Sequence, residues 1–258
     1  MTDPEFEIIF LGTCAFDFDE RLKSELKNRF DKDVRRSSSI LLNGHQLVDC
    51  GPHTPDSLRI VGTPFSEITD IFLTHLHKDH FEIDNVRRIA QAKEKKLRLW
   101  VRWDASLPEI ENTEIVPMYT GMEYEAGAGV KVMSLPANHA AFSQHFLFEK
   151  NGKRVYYGLD GGWILQEAFL KMQKNIDLLI MDCTVGDYDG DFRISEHNSI
   201  PMIRILLKSF VASGVTGKNS RVYLSHLAPS LHKPHDETEE ICEKFGAHVA
   251  YDGLRLTV

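Results

Sequence analysis

The segment from His75 to His80 reads H-L-H-K-D-H and places three imidazoles and one carboxylate within six consecutive positions. In an extended chain alternate side chains share a face, so His75, His77 and Asp79 can point the same way, and a turn at Asp79 brings His80 beside them. Imidazole and carboxylate suit zinc and other divalent first-row metals, and no cysteine lies nearby to build a closed thiolate site. The segment therefore predicts a metal site with open coordination positions, which is typical of catalysis.

Three further potential ligands follow predicted strands elsewhere in the chain. They are His139 after strand 130–135, Asp160 after strand 154–159 and His226 after strand 221–224. Each is weak on its own, because a lone histidine is more often a loop residue and Asp-Gly-Gly is normally a turn. Together with the four donors of the H-L-H-K-D-H segment they are enough for two adjacent metal ions with one bridging carboxylate.

Asp49 ends another predicted strand and has two possible roles. Its carboxylate can orient a metal-binding histidine from outside the ligand set. It can equally cap a helix that begins near Pro55. His197 lies at or just before the N-terminus of a predicted helix, so capping is one explanation for it. His232 and His235 follow His226 closely, but we expect neither to be a ligand, because histidines beside lysine and proline are common in surface loops.

Length and composition indicate a globular protein of one domain spanning 1–258. Of its 258 residues, 42% are hydrophobic and 26% are charged, and the four cysteines are far apart without a C-x-x-C pair. Such cysteines suit reduced thiols, and we find neither a signal peptide nor a membrane-length apolar run, so a cytoplasmic protein is expected. The net charge of −8 favours a small substrate over a long nucleic acid. A homodimer is one oligomeric state that the sequence allows.

Periodicity and turn residues predict a mixed α/β chain rich in strands. A charged insertion at about 15–36 is expected to hold an amphipathic helix carrying Leu22, Leu26 and Phe30 on one face. Hairpins are predicted about Asn43-Gly44, Asn151-Gly152 and Asp252-Gly253. The predicted strands are 6–11, 39–42, 46–49, 68–74, 97–101, 114–116, 130–135, 146–149, 154–159, 177–182, 221–224, 249–251 and 254–258, and the further helices are 84–95, 164–174, 202–211 and 237–245.

The order of these candidate residues resembles the metallo-β-lactamase superfamily over essentially the whole chain. The resemblance implies an α/β (α+β) fold, a four-layer αββα sandwich, with the site along one edge of its two sheets. It also implies that two divalent metal ions, zinc or manganese, are bound. In that reading the first metal is held by His75, His77 and His139, the second by Asp79, His80 and His226, Asp160 bridges both, and Asp49 stands outside the ligand set.

The opening F-L-G-T, the strand entry R-R-S-S-S, the segment E-H-N-S and the ending Y-D-G are most similar to the phosphoribosyl cyclic phosphate phosphodiesterases. Members of that branch carry a cysteine cluster for a structural zinc, and the insertion here contains no cysteine. The resemblance implies a hydrolase of a small, cyclic phosphate diester, with Asp79 and His197 as catalytic residues and a metal-bridging hydroxide as nucleophile. The alternatives are a thioester or lactone hydrolase, a tRNA-maturing type of endonuclease, or a binding protein that keeps the fold.

Overall fold

A computed structural model describes residues 6–172 and 174–258 of the chain. These residues form fourteen β-strands and five α-helices. The strands are β1 (Glu7–Gly12), β2 (Ser39–Leu42), β3 (Gln46–Val48), β4 (Asp70–Phe72), β5 (Leu97–Arg102), β6 (Thr113–Met118), β7 (Glu123–Glu125), β8 (Lys131–Pro136), β9 (Gln144–Lys150), β10 (Lys153–Gly158), β11 (Leu178–Asp182), β12 (Arg221–Ser225), β13 (His248–Val249) and β14 (Arg255–Thr257). The helices are α1 (Thr54–Val61), α2 (Ile83–Gln91), α3 (Gln166–Lys171), α4 (Ile200–Ser213) and α5 (His235–Glu243).

The strands form two sheets of seven within the described residues. The first sheet has the order β14-β1-β2-β3-β4-β5-β6, and the second has the order β13-β12-β11-β10-β9-β8-β7. Strands β3 to β6 run parallel in the first sheet, as do β10 to β12 in the second. The carboxyl ends of parallel strands meet at one edge of a sheet, and this is where α/β folds place their ligands.

Three apolar clusters define four layers. The cluster between the sheets includes Phe72, Phe146 and Phe148, whose rings contact one another at centroid distances of 5.2 to 5.8 Å. A second cluster packs α1 and α2 on the outer face of the first sheet, and a third packs α3, α4 and α5 on the outer face of the second. Because each sheet is apolar on both faces, each requires a helical layer outside it. The αββα sandwich expected from the sequence is confirmed.

Backbone hydrogen bonds tie the two sheets together at the edge where the parallel strands end, which we call the site edge. The Gln144 N–H at the start of β9 donates to the Thr74 carbonyl just after β4, at 2.9 Å. The Leu227 N–H, beyond β12, donates to the Thr13 carbonyl beyond β1, also at 2.9 Å. Loops from both sheets are therefore held in register at this edge.

Most of the predicted elements are present, and the hairpins about Asn43-Gly44 and Asn151-Gly152 are confirmed. The loop between β2 and β3 has three residues, 43–45, and the loop between β9 and β10 has two, and left-handed backbone at both Asn-Gly pairs provides the twist that these hairpins require. The predicted helix 164–174 is shorter than expected, since α3 covers only Gln166–Lys171. The four cysteines are buried free thiols. Among the described residues, no helix has the length and apolar character needed to cross a membrane.

The prediction of an amphipathic helix in the insertion is wrong. The segment contains one turn of 3₁₀ helix, Glu20–Lys23, followed by turns. Leu22 and Leu26 are buried as the apolar spacing predicted, but they pack into a small local cluster rather than along a helix face. The Asp31 carboxylate accepts two backbone N–H groups further along the chain, at 2.9 and 3.2 Å. Such local side-chain bonds compete with helical hydrogen bonds in the second half of the insertion.

The predicted C-terminal hairpin is also wrong. Strand β13 pairs with β12 in the second sheet, whereas β14 pairs with β1 in the first. The turn between them crosses from one sheet to the other. Its Asp252 is buried and accepts the Arg36 backbone N–H at 2.7 Å and the Thr13 hydroxyl at 2.8 Å. These long-range bonds fix the Asp252-Gly253 turn as a link between sheets.

Gly51 generates a testable prediction about this packing. A Cβ at Gly51 would lie 1.9 Å from the Asp79 carbonyl oxygen, because the chain after β3 runs directly against the loop that carries the histidines. Gly51→Ala must therefore displace backbone, and we expect a loss of about 1–3 kcal/mol in the free energy of unfolding. Urea denaturation of metal-free protein measures this loss without a contribution from bound ions.

Gly190→Ala is the matched control, because nothing lies within 4 Å of a Cβ at Gly190. Its free energy of unfolding should stay within about 0.5 kcal/mol of the parent protein. Equal stabilities for the two variants would show that the close approach of Gly51 and Asp79 does not constrain the fold.

Candidate metal centre

Three residues of the site stand in left-handed backbone immediately beyond or near strand ends. Asp49 follows β3 with φ 63°, Asp160 lies beyond β10 with φ 56°, and His226 follows β12 with φ 59°. This conformation is unfavourable for residues with a side chain, although aspartate and histidine tolerate it better than most. It interrupts the alternation of each strand and turns the side chain towards the site edge. Strain of this kind concentrates at functional sites.

The first group of donors joins two histidines of the H-L-H-K-D-H segment with residues from the second sheet. One potential ligand atom from each of His75, His77, His139 and Asp160 lies within 4.8 Å of all the others. His139 Nε2 is 3.2 Å from His77 Nδ1, and His75 Nε2 is 3.2 Å from Asp160 Oδ2. The structure thus brings together the four residues expected around the first metal.

The second group lies beside the first and shares Asp160 with it. Its members, Asp79, His80, Asp160 and His226, also offer ligand atoms within 4.8 Å of one another. His226 Nε2 is 2.7 Å from Asp160 Oδ1, and His80 Nε2 is 3.4 Å from Asp79 Oδ2. Asp160 Oδ2 lies 3.2 Å from His75 Nε2 of the first group and 3.3 Å from His80 Nε2 of the second, so the carboxylate stands between the two groups, in the position that a bridge would require.

The spacing of the donor atoms suits the ligands of divalent cations better than it suits hydrogen bonds between the donors. His75 Nε2 and Asp160 Oδ1 are buried, and although His75 Nε2 is 3.2 Å from Asp160 Oδ2 and Asp160 Oδ1 is 2.7 Å from His226 Nε2, neither atom has a partner in hydrogen-bond geometry among the described residues. His80 Nε2 faces His226 Nε2 at 3.1 Å, while the other ring nitrogen of His80 lies 2.8 Å from the Asp49 carboxylate. Ligands at 2.0–2.1 Å from a tetrahedral zinc are separated by about 3.4 Å, close to this spacing. Imidazole and carboxylate donors at such distances can hold zinc or a similar ion.

Electrostatics divide the histidines into two kinds. Burial lowers the pKa of His75, and lowers that of His139 to about 4, so both are neutral and can offer a lone pair. Burial also opposes charge on His80 and His226, but nearby carboxylates, Asp160 foremost, outweigh it and raise the pKa of both. Protons and metal ions compete for such nitrogens, so a bound cation would replace these protons.

Asp160 remains charged although it is buried. Burial alone would raise its pKa, but the neighbouring His226 and His80 outweigh burial and hold the pKa of this carboxyl well below its usual range. A buried carboxylate is costly unless it is paired or bound to a metal. Asp160 therefore supplies the negative charge around which the imidazoles assemble.

Asp49 contacts His80 rather than a helix. Its carboxylate lies 2.8 Å from His80 Nδ1 and accepts the Thr74 backbone N–H at 2.8 Å. The N-cap of α1 is His53, with no side-chain cap, so the helix-capping alternative for Asp49 is wrong. A carboxylate on the remote ring nitrogen fixes the tautomer and the orientation of an imidazole that binds metal.

Asp182 and Thr184 belong to the site and were missed in the sequence. Asp182 Oδ2 lies 2.9 Å from His197 Nδ1 and 3.3 Å from His226 Nδ1, and the Thr184 hydroxyl lies 2.7 Å from His226 Nδ1. The position of Asp182 at the end of a strand could have identified it in the sequence. It is the last residue of β11, and the other candidates likewise follow β3, β10 and β12. A carboxylate that contacts two imidazoles positions both of them.

His197 stands beside both donor groups without belonging to the predicted ligand set. Its ring centroid is 4.9 Å from that of His139 and 5.5 Å from that of His226. The N-cap of α4 is Ser199, whose hydroxyl accepts the Met202 N–H, so His197 does not cap this helix. With Nδ1 held by Asp182, Nε2 is the ring nitrogen left for a substrate.

His232 and His235, which we expected not to be ligands, lie outside the two donor groups. His232 Nε2 lies 2.8 Å from the Cys183 carbonyl oxygen. His235 is buried with Nδ1 3.2 Å from the Arg35 guanidinium. Neither residue occurs in any of the potential metal-binding groups among residues 6–172 and 174–258.

The chain is similar to known proteins in sequence and in fold. Ribonuclease Z of Methanothermobacter thermautotrophicus is 23% identical over 196 residues, which are 68% of this chain and 59% of that protein. The chain thus spans about three fifths of the length of that relative.

Two solved structures show the same fold. The metallo-beta-lactamase fold protein YhfI from Bacillus subtilis superposes with a TM-score of 0.77 and 18% identity, over 99% of this chain and 100% of that chain. A diphosphatase from the PhnP family superposes with a TM-score of 0.70 and 18% identity, over 97% of each chain. The family model described as the beta-lactamase superfamily domain matches residues 46–249. The chain therefore belongs to the beta-lactamase superfamily and has the metallo-β-lactamase fold.

Proposed function

We propose that the chain is a metal-dependent phosphodiesterase that hydrolyses a small, cyclic phosphate diester. The observation that carries this proposal is the pair of donor groups sharing Asp160, with His197 beside both. In this proposal two divalent ions, zinc or manganese, are held by His75, His77, His139, Asp79, His80 and His226, with Asp160 between them. Divalent ions in such a pair supply Lewis acidity, an activated water and a clamp for the oxygens of a displacement at phosphorus.

The residues of the chain contribute orientation and proton transfer. Asp49 and Asp182 contact the remote nitrogens of His80 and His226, which holds these rings in place. His197 is held through Nδ1 by Asp182, so a proton on Nε2 can pass to the departing ester oxygen. An alkoxide leaves poorly without such a proton, and imidazole is well suited to provide one near neutral pH.

A small diester is supported by charge. The chain carries −8 overall, so a long polyanion gains little general attraction, whereas two divalent ions neutralise a single phosphate locally. The similarity in fold to a PhnP-family diphosphatase is in keeping with chemistry at phosphorus. A thioester or lactone hydrolase remains the acyl alternative, although an acid positioned like His197 is of most use to a poor leaving group at phosphorus.

An endonuclease of the tRNA-maturing type is the second candidate. It is favoured by the 23% identity to a ribonuclease Z. The net charge of −8 argues against it, because RNA binding draws most of its affinity from lysine and arginine contacts to phosphates. Substrate tests decide between the two.

Metal content is the first prediction from this proposal. Metal-replete protein should carry about two divalent ions per chain, because the donors exceed what one tetrahedral ion uses. Asp160→Ala should reduce occupancy of both positions, since both donor groups contain this carboxylate. Mass spectrometry of the native protein and elemental analysis give the stoichiometry.

Asp189→Ala removes an exposed loop carboxylate outside these donor groups and should leave the metal content unchanged. A parent protein that holds a single ion after metal-replete preparation would contradict the paired site.

Substrate preference is the second prediction. Bis-aryl phosphates and five-membered cyclic phosphates should be hydrolysed faster than thioesters or lactones, because two cations stabilise the charge that develops on phosphoryl oxygens. Initial rates on a panel of these substrates, with structured RNA included, provide the measurement. Tight, salt-sensitive RNA binding with site-specific cleavage would instead favour the endonuclease, and a thioester preference would favour the acyl hydrolase.

The role of His197 is the third prediction. His197→Ala should keep both metals but lose on the order of a hundredfold in turnover of alkyl diesters, because the alkoxide then leaves unprotonated. Aryl diesters should lose much less, since a phenolate departs without help. His248→Ala is the matched control, a histidine whose side chain is 45% exposed on β13. Equal losses on alkyl and aryl diesters would assign His197 to phosphate positioning rather than to proton donation.

A further inference from the structure

The exposed aromatic side chains of this protein are confined to the site edge. Seven aromatic residues are more than a third exposed, and each follows the carboxyl end of a strand that points to that edge. By contrast, exposed aliphatic residues such as Leu170 and Ile205 lie on helices away from it. Exposed apolar groups gathered at one edge of a fold mark an interaction surface. These residues are Phe16, Trp103 and Tyr119 beyond the first sheet, and Phe142, Trp163, Tyr188 and Phe192 beyond the second.

Three of them belong to the loops that also carry candidate site residues. Phe142 comes three positions after His139, Trp163 three positions after Asp160, and Phe192 five positions before His197. We call Phe142, Trp163 and Phe192 the aromatic rim.

Hydrogen bonds join the three loops of the aromatic rim to one another. The Gly162 N–H donates to the Asn138 carbonyl at 3.1 Å, and the Asn198 side chain donates to the Gly161 carbonyl at 2.8 Å. The three loops that carry the rim are therefore held together at the site edge.

Packing within the chain covers these side chains only in part. Phe142 is 39% exposed, Trp163 is 41% exposed and Phe192 is 81% exposed, and the Arg193 guanidinium lies 4.7 Å from the Phe192 ring centroid, so part of each aromatic residue is left for a ligand. Phe142 also has a φ of 66°, a left-handed conformation that is unusual for a bulky residue. An exposed aromatic residue held in such a conformation beside a reactive centre is better explained by contact with a ligand.

The charges near the rim describe that ligand further. The segment preceding His197 contains Asp187, Asp189, Asp191 and Glu196 and a single arginine, Arg193, which is paired with Asp191 at 2.7 Å. An acidic surface repels additional phosphates, so it does not suit a polyanion. It is compatible with a neutral planar group, which an aromatic ring binds by stacking.

We infer that the aromatic rim binds a neutral planar aromatic group of the substrate by stacking, so that the substrate is a phosphodiester bearing a nucleobase or a similar ring. The inference rests on the proposed function for the position of the phosphate. It adds that recognition outside the metal centre comes from stacking rather than from charge.

Binding of paired probes to the metal-replete protein tests the inference apart from turnover. Adenosine 5′-monophosphate and ribose 5-phosphate share the sugar phosphate and differ in the base. We expect the nucleotide to bind about tenfold more tightly, a preference in the range that stacking of one base provides. Trp163→Ala and Phe192→Ala should each reduce this preference without changing the affinity for ribose 5-phosphate, and Trp163→Phe should restore it. Isothermal titration calorimetry gives both affinities.

Leu170→Ala is the control, since Leu170 is 74% exposed on α3 and outside the rim. The inference is overturned if the parent protein binds the two probes equally, or if the rim variants weaken both probes alike. Binding of adenosine, which has the base but no phosphate, distinguishes a failure of this inference from a failure of the proposed function. If neither phosphate binds but adenosine does, and the rim variants abolish adenosine binding, then the phosphate site of the proposed function fails while the rim stands.

Discussion

A single buried carboxylate organises the centre of this protein. Asp160 is 2% exposed, and the Nε2 atoms of His75, His80, His139 and His226 lie 2.7 to 3.4 Å from its oxygens. Burying that charge is unfavourable unless cations or protonated imidazoles surround it. The positions of the histidines and the left-handed turn at Asp160 all follow from this requirement. The surrounding fold must hold these groups together against the cost of their desolvation.

The αββα sandwich meets that requirement through the direction of its strands. Parallel strands in both sheets end at the same edge, so short loops from separate parts of the chain converge there. The apolar cluster between the sheets fixes their spacing, and interlocking aromatic rings such as Phe72 and Phe148 keep it constant. The donors from the two sheets are thus positioned by a rigid core, while the loops carry the residues that differ in chemistry.

Support around the donors is as specific as the donors themselves. Asp49 and Asp182 each end or follow a buried strand, and each contacts the remote nitrogen of a histidine. Asp182 also holds His197, so one carboxylate connects a potential ligand to the candidate proton donor. A change at either aspartate would alter the orientation of the imidazoles that it contacts. Beyond this layer, the exposed aromatic loops extend the site edge outwards.

The sequence by itself determined the local features: the H-L-H-K-D-H segment, the strands ending in His139, Asp160 and His226, and the two hairpins with Asn-Gly turns. Alternating and helical periodicities, turn residues and donor types are properties of neighbouring positions, which a sequence displays directly. They were sufficient for most of the strands and helices and for the candidate residues that lie within one cluster, whereas the layer architecture was implied by the family resemblance. The family resemblance supplied the pairing of donors into two groups.

Only the tertiary structure decided the features that depend on distant partners. Asp182 meets His197 because β11 and the entrance of α4 are brought to the same edge. Strands β13 and β14 join different sheets because Asp252 is held by β1 and its neighbouring loop, and no local pattern distinguishes this from a hairpin. The insertion likewise has helical spacing at Leu22 and Leu26 but forms turns. In each case long-range contacts or side-chain bonds to the backbone outweighed a weak local preference.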